Sequence, residues 1–295
     1  MTRAARRSLV YGLVADLAAG CVLLLVAVAL SIAAHGAEAG GKDRTLERLA
    51  RVAELYRDNA LGFACQETIA YSGSESGRIQ FAYLFIRDEG GRLRDFRTWR
   101  TGTTAKERGQ EVHPADYHVP VFLESAYLWT FVFRSDRQPL FRFTRLGDDG
   151  ALERAAVKLG FEPREPIRKG LNDWAGVAWI DRDTTQILRV EAYTPTDWKR
   201  KMRRDAGVAM ERQPYDIERF VTEFGFEKNG MRFPSHVEIT TIRSRVVPGA
   251  IPEVLRESTL RRVTQDYSRF RFFSVRSREE ITHFVNGEGP LPAVP

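Results

Sequence analysis

Cys65 sits in GFACQETIAY (62–71), where β-branched and aromatic neighbours predict a strand. A lone thiol in a strand acts most often as a small buried apolar group, and as a nucleophile it needs a histidine that spacing alone does not place. His113 and His118, five positions apart in a polar stretch, match no strong metal-ligand spacing, since zinc requires three or four converging ligands. Asp181 and Asp183 resemble half of a hard-cation site, yet no further acid follows at loop spacing, and short Asp-rich turns serve backbone geometry. SGSESG (72–77) has the composition of a nucleophile elbow without the Gly-x-Ser-x-Gly spacing. Neither a phosphate loop nor a dinucleotide fingerprint is present. No catalytic residue, metal ligand or cofactor is assigned from the sequence, and the chain reads as a non-enzyme.

The elements that would position any site are strands. In GVAWIDRDTTQILRVEAYTP (176–195), Ala178 and Ile180 alternate with Val177 and Trp179, and Leu188, Val190 and Ala192 alternate with Arg189 and Glu191, around a turn at 181–184. One face is apolar and one wet, as in an antiparallel sheet. Similar runs follow SGSESG and EGG (89–91), and Asn229-Gly230 is the favoured two-residue hairpin turn, with Phe220, Phe224 and Phe226 before it and Val237 and Ile239 after it. TLERLARVAELYRDNA (45–60) places Leu46, Leu49, Val52, Ala53 and Tyr56 at helical spacing. VPVFLESAYLWTFVFR (119–134) is apolar on nearly every side, so periodicity leaves helix and strand both open; Pro120 and Glu124 near its start favour a buried helix.

Charge and hydropathy supply an address. Three arginines precede Leu9, an uncharged apolar run covers 21–34, and AEA (37–39) offers small residues before Gly40. This is the layout of a secretory signal ending at Ala39. An uncleaved inner-membrane anchor is the alternative, although it reaches spanning length only by including Asp16. A third reading, lipidation at Cys21, would leave thirteen apolar residues on the mature chain. Loss of residues 1–39 lowers the formal charge from +6 to +5 and leaves one cysteine, so the expected periplasmic domain relies on its core rather than on disulfides. The boundaries expected are a signal at 1–39, one β-rich domain at 40–276 and a flexible tail at 277–295, whose glycines and prolines suggest fraying.

Two patches stand out within that domain. Lys199, Arg200, Lys201, Arg203 and Arg204 crowd a stretch that reads as a solvated loop and could meet anionic lipid head groups. An exported chain rarely meets nucleic acid, so none is assigned as a partner. Phe81, Tyr83 and Phe85 share one strand face, and Phe131, Phe133, Phe141 and Phe143 follow. A curved sheet with such a concave face, plugged by 119–134, would offer Phe81, Tyr83, Phe85, Leu123, Trp129 and Phe133 to an acyl chain. An apolar ligand needs area and shape, so missing motifs do not count against it.

The order of a short helix, GFACQETIAY, a run of hairpins, WAGVAWIDRDTTQILRVEAY (174–193) and FEKNGMRFPSHVEI (226–239) resembles the LolA/LolB-like periplasmic lipoprotein carriers, in particular the outer-membrane lipoprotein-sorting branch. The resemblance spans most of 44–275. It implies an α+β, mainly β fold: a curved antiparallel sheet or unclosed β-barrel covered by one or two helices. It also implies an apolar cavity that receives lipoprotein acyl chains, with transient contacts to membrane or envelope proteins. The stretch 195–216 departs from the family as an insertion. An envelope interaction scaffold without a small ligand is the second function expected.

Overall fold

Strand periodicity dominates what folds. The computed structural model describes residues 44–58, 62–87, 93–100, 110–112, 130–150, 154–164, 174–206, 214–247, 254–273, 283 and 286. The expected leader, the EGG turn, His113, His118, Leu123, Trp129 and nearly all of the expected tail lie outside the described residues. Of the run 119–134, Thr130 and Phe131 are helical and 132–137 form turns. Among the described residues, no helix is long and apolar enough to cross a membrane.

Helix α1 spans Arg44–Asp58, as the apolar spacing predicts, and buries Leu49, Val52, Ala53 and Tyr56 together with Leu55. The strands are β1 (Phe63–Ser72), β2 (Gly77–Arg87), β3 (Leu93–Trp99), β4 (Phe141–Asp149), β5 (Ala156–Pro163), β6 (Ala175–Asp181), β7 (Ile187–Tyr193), β8 (Tyr215–Glu223), β9 (Phe226–Lys228), β10 (Met231–Phe233), β11 (His236–Val247) and β12 (Val254–Phe272). Ten of them form one antiparallel sheet in the order β3-β2-β1-β12-β11-β8-β7-β6-β5-β4, and β9 pairs with β10 apart from it. The end strands β3 and β4 do not pair, so the sheet stays unclosed. The α+β, mainly β architecture of a curved sheet with helices is thus present.

Alternation decides which face is buried. Ala178, Ile180, Val190 and Ala192 turn inward, as do Phe220 and Phe224 of the adjoining chain, and Val237 and Ile239 of β11. On the outer side Trp179 donates to Asp149 at 2.9 Å, and the Arg189 guanidinium lies 5.2 Å from the Trp179 ring centre. Toward its end β12 carries an irregularity opposite β1, between the Ala64 and Gln66 pairings, with Arg269 at φ 58°. The extra residue resets the phase of the strand. Val263, Gln265 and Tyr267 face inward before it, and Phe270 and Phe272 pack on the core after it.

Asn229 (φ 52°) and Gly230 (φ 80°) take the two left-handed positions that a type I′ turn demands. Their hairpin is shorter than the sequence pattern suggests. Pro234 has no amide hydrogen to continue a ladder, and Ser235 closes the break: its Oγ accepts from the Gly225 amide at 3.0 Å, and its amide donates to the Glu223 carbonyl at 2.8 Å. The long strands β8 and β11 then pair directly below, beginning at His236 and Glu223.

The basic stretch expected to be a loop is a helix, α2 (Pro195–Asp205). Thr194 caps it by accepting from the Asp197 amide at 3.2 Å, Pro195 opens the first turn, and Arg203 and Arg204 lie in the last turn, where cations favour the helix dipole. Its sparse apolar content obscured the period. Trp198 packs on Tyr193 at 5.7 Å between ring centres and joins a small cluster with Tyr215 and Ile217.

The 181–184 turn does serve backbone geometry. Asp181 is buried, and its Oδ1 accepts from the amides of Asp183 (3.0 Å) and Thr184 (2.8 Å) while Thr185 adopts φ 59°. Burial opposes ionisation, but bonds from Thr184, Asp183 and Arg154 outweigh it and hold the carboxyl below its usual range. A depressed native pKa stabilises the fold above the unfolded value, about 3.9, and that contribution fades as pH falls through the native value. Asp181→Asn therefore lowers stability at neutral pH by about 1 kcal/mol. The gap between the melting curves of the two proteins should start to narrow below pH ~4 and close once the native carboxyl is protonated; a gap that acid leaves undiminished would refute the charge assignment.

Candidate ligand-binding face

The sheet register sets the chemistry of the concave face. On β2, Phe81, Tyr83 and Phe85 lie opposite Glu67, Cys65 and Phe63 of β1 and opposite Trp99, Arg97 and Asp95 of β3. Phe81, Tyr83 and Phe85 are fully buried, and Phe63 packs on Tyr83 and Phe85 at 6.2 and 5.8 Å. Phe133 is also fully buried, but it packs on Phe143 and Phe161 of β4 and β5 at 5.7 and 6.0 Å. These four expected lining residues belong to one continuous core at two places on the sheet.

Sequence reasoning missed what lies between the rings. Glu67 is 0% exposed, and its carboxylate takes a two-pronged bond from Arg97, Nε to Oε2 at 2.6 Å and Nη2 to Oε1 at 3.0 Å. Gln265 and Tyr267 each donate to Oε1 at 3.1 Å, and Arg97 also pairs with Asp95. The guanidinium stands 4.6 Å from the Tyr83 ring centre. A buried charge is tolerable only when paired and hydrogen-bonded like this. The signal was available, because Glu67 holds a core-facing position in GFACQETIAY, flanked two residues away by Cys65 and Ile69.

This environment makes the neighbouring groups inert. Burial pushes the Cys65 thiol up, the Glu67 carboxylate pushes it further, and Arg97 only partly offsets them. Burial likewise holds the Tyr83 and Tyr267 phenols well above their ordinary range. Arg97 loses hydration to burial, yet the Glu67 carboxylate more than restores its charge. Among the described residues the buried Tyr83 hydroxyl has no hydrogen-bond partner. The arrangement can hold and orient; it supplies no activated nucleophile.

A cleft of about 270 Å³ opens elsewhere, between Arg154, Leu188, Arg189, Glu223, Phe224, Gly225 and Arg232. Its charges mostly answer one another: Arg154 reaches Asp181 and Glu227 at 3.4 Å, and Arg232 reaches Glu227 at 3.3 Å. The cations of α2 are divided too. Arg200 pairs with Asp197, Lys201 with Asp205, and Arg204 with Asp205 and Glu257, while Lys199 and Arg203 sit on the exposed side with Met202.

No protein-family profile matches the sequence, and no curated protein does. Solved structures do match. A DUF1329 family protein from Desulfovibrio piger is 9% identical with a TM-score of 0.42, over 80% of this chain and 95% of that one. A putative outer membrane lipoprotein-sorting protein domain from Vibrio parahaemolyticus is 13% identical with a TM-score of 0.42, over 81% and 97%. A LolA superfamily protein from Nitrosomonas europaea is 10% identical with a TM-score of 0.36, over 77% and 93%. The likeness is to these solved structures at 9–13% identity. At these values it concerns the course of the chain and carries nothing about ligand or partner.

Removing one member of the buried pair strands the other. Arg97→Ala should cost about 3–5 kcal/mol, whereas the double change Glu67→Leu with Arg97→Met should recover most of it. Denaturant titration of the three proteins measures this; equal losses in the single and double variants would contradict the pairing. The inert thiol gives a second test. Under native conditions the Cys65 peptide should stay unlabelled by iodoacetamide in a mass-spectrometric digest and become labelled on unfolding. Rapid native labelling would show the strand face to be open.

Proposed function

We propose that the chain is an exported, non-enzymatic binding protein that takes an acyl chain on the aromatic concave face of its unclosed sheet. One observation carries this reading: a broad face built from Phe63, Phe81, Phe85, Phe133 and Phe161 belongs to a sheet whose end strands do not lock together. A closed barrel has a fixed girth, while an open sheet can widen without losing ladder hydrogen bonds. Helix α1 supports the same reading. It contributes Leu49, Val52, Leu55 and Tyr56 to the core and lies outside the strand ladders, so its displacement breaks none of them.

In this reading Phe81, Tyr83, Phe85 and Phe133 line the acyl site; Leu123 and Trp129, expected with them, lie outside the described residues. The exposed Lys199, Met202 and Arg203 of α2 suit a transient approach to an anionic membrane surface, a cationic rim around an apolar tip. The leader-like N-terminus supports a periplasmic address. The LolA-type resemblance is in keeping with lipoprotein acyl chains as cargo, and the binding chemistry asks only for an apolar chain.

The test is the native mass of the purified chain before and after organic extraction. A bound species that is lost on extraction and regained when lipid is added is the expected result. An unchanged mass in both steps would end the carrier reading and leave the interaction scaffold, with α2 as its first surface to alter.

A further inference from the structure

The concave side of β11 runs from buried to exposed within one strand. Val237 and Ile239 are in the core, and the same face continues through Thr241 and Arg243 to Arg245. The opposite face is the one under α2, because Arg204 of that helix pairs with Glu257 at 2.6 Å and the Ser244 hydroxyl reaches the same carboxylate at 3.4 Å. Arg245 thus shares the side of the sheet that carries the aromatic core, about 20 Å along the strand from Ile239.

Directly across the ladder from Arg245 stands Arg256 of β12. Residues paired in this way have side chains close together on one face, and like charges so placed destabilise a sheet. Other arginines of this region face acids: Arg243 holds Asp216 at 2.8 and 2.9 Å, Arg261 holds Glu218 at 2.9 Å, and Arg262 lies 3.5 Å from Glu238. Among the described residues Arg245 and Arg256 have no carboxylate partner, and both are exposed. A glutamate at either position would have made an ordinary cross-strand ion pair.

We infer that Arg245 and Arg256 form a phosphate-binding clamp on the β11–β12 ribbon, where it runs past the last paired residues of β8 (Tyr215) and β1 (Ser72). Two side-by-side guanidinium groups present parallel donors that match a phosphate and no neutral group. The exposed Ser258, opposite Arg243 and next along the same face of β12, can add a hydroxyl donor. An anion bound there removes the like-charge cost that the bare ladder carries. This inference rests on the acyl-chain reading: it names the cargo class as an amphiphile whose tail enters the aromatic face and whose phosphate head rests on the clamp.

The experiment uses the full chain and three probes: oleoyl lysophosphatidic acid, whose chain is long enough to run from the clamp to Ile239, the matching monooleoylglycerol, and inorganic phosphate, each titrated calorimetrically. The lysophosphatidic acid should bind about tenfold or more tightly than the monoacylglycerol. Arg245→Glu should erase that advantage without lowering the melting temperature, because it converts a repulsive pair into an attractive one. Lys199→Glu on α2 makes the same change in charge on the other face and should keep the advantage. Equal affinities for the two lipids, an advantage that survives Arg245→Glu, or one equally lost in Lys199→Glu would each overturn the clamp. Inorganic phosphate that binds the unaltered chain and not Arg245→Glu, with neither lipid binding, would uphold the clamp for free phosphate and refute the acyl reading.

Discussion

The ladder between β1 and β12 is the constraint on which the rest depends. It joins the first three strands to the last one across most of the chain; Glu67 and Gln265, bonded through it, are 198 residues apart. Without that ladder β1, β2 and β3 would be a small three-stranded meander, at the minimum size for stability, with one aromatic face exposed. With it, the face is continuous from Trp99 through Phe81 and Ile69 to Val263 and Ile239. Closing so long a loop carries an entropic cost before any contact rewards it, so this pairing is expected to form late and slowly.

The buried ion pair makes that ladder specific. Apolar rings tolerate a change of partner, since shape and volume suffice for much of their packing. Glu67 does not: a one-residue slip of β3 would turn Arg97 to the outer face and leave the carboxylate buried with only Gln265 and Tyr267 as donors. A satisfied polar network in an otherwise apolar core penalises the wrong registers more than it stabilises the right one. It also divides the concave face. A ligand that displaces rings near Phe63 or Phe133 meets only dispersion contacts, whereas one that enters at Tyr83 must disturb charges.

Local features were legible in the sequence where a period or a turn speaks for itself. The alternation of Phe81, Tyr83 and Phe85, the stripe on α1, and Asn229-Gly230 each announce their structure within a dozen residues. Helix α2 was hidden because its period has one large apolar anchor, Trp198, and most of its remaining positions are charged; its cap, Thr194-Pro195 with Asp197, was the readable signal. The position of Glu67 hinted at a buried charge, but its partner could not be read. Arg97 becomes its neighbour only through β2, which puts Tyr83 beside Cys65 on one side and Arg97 on the other. Pairings of that kind are properties of the sheet rather than of any segment.

Charge on this protein is sorted by face, which net charge alone conceals. The formal excess of +6 is modest for 295 residues. On the α2 side, Arg200, Lys201 and Arg204 are answered by Asp197, Asp205 and Glu257, so a stretch that looks strongly basic in sequence is less so in space. On the concave side, acids follow the arginines of β11 and β12 as far as Arg243 and Arg261 and then stop. Random placement of surface charge would be free to leave such a gap anywhere. Here it falls where β11 and β12 run past the ends of their neighbours β8 and β1, and two arginines are paired across the ladder at that point. A fold selected for stability alone would gain from an acid at either site, so the cost retained at Arg245 and Arg256 is the kind that a function maintains.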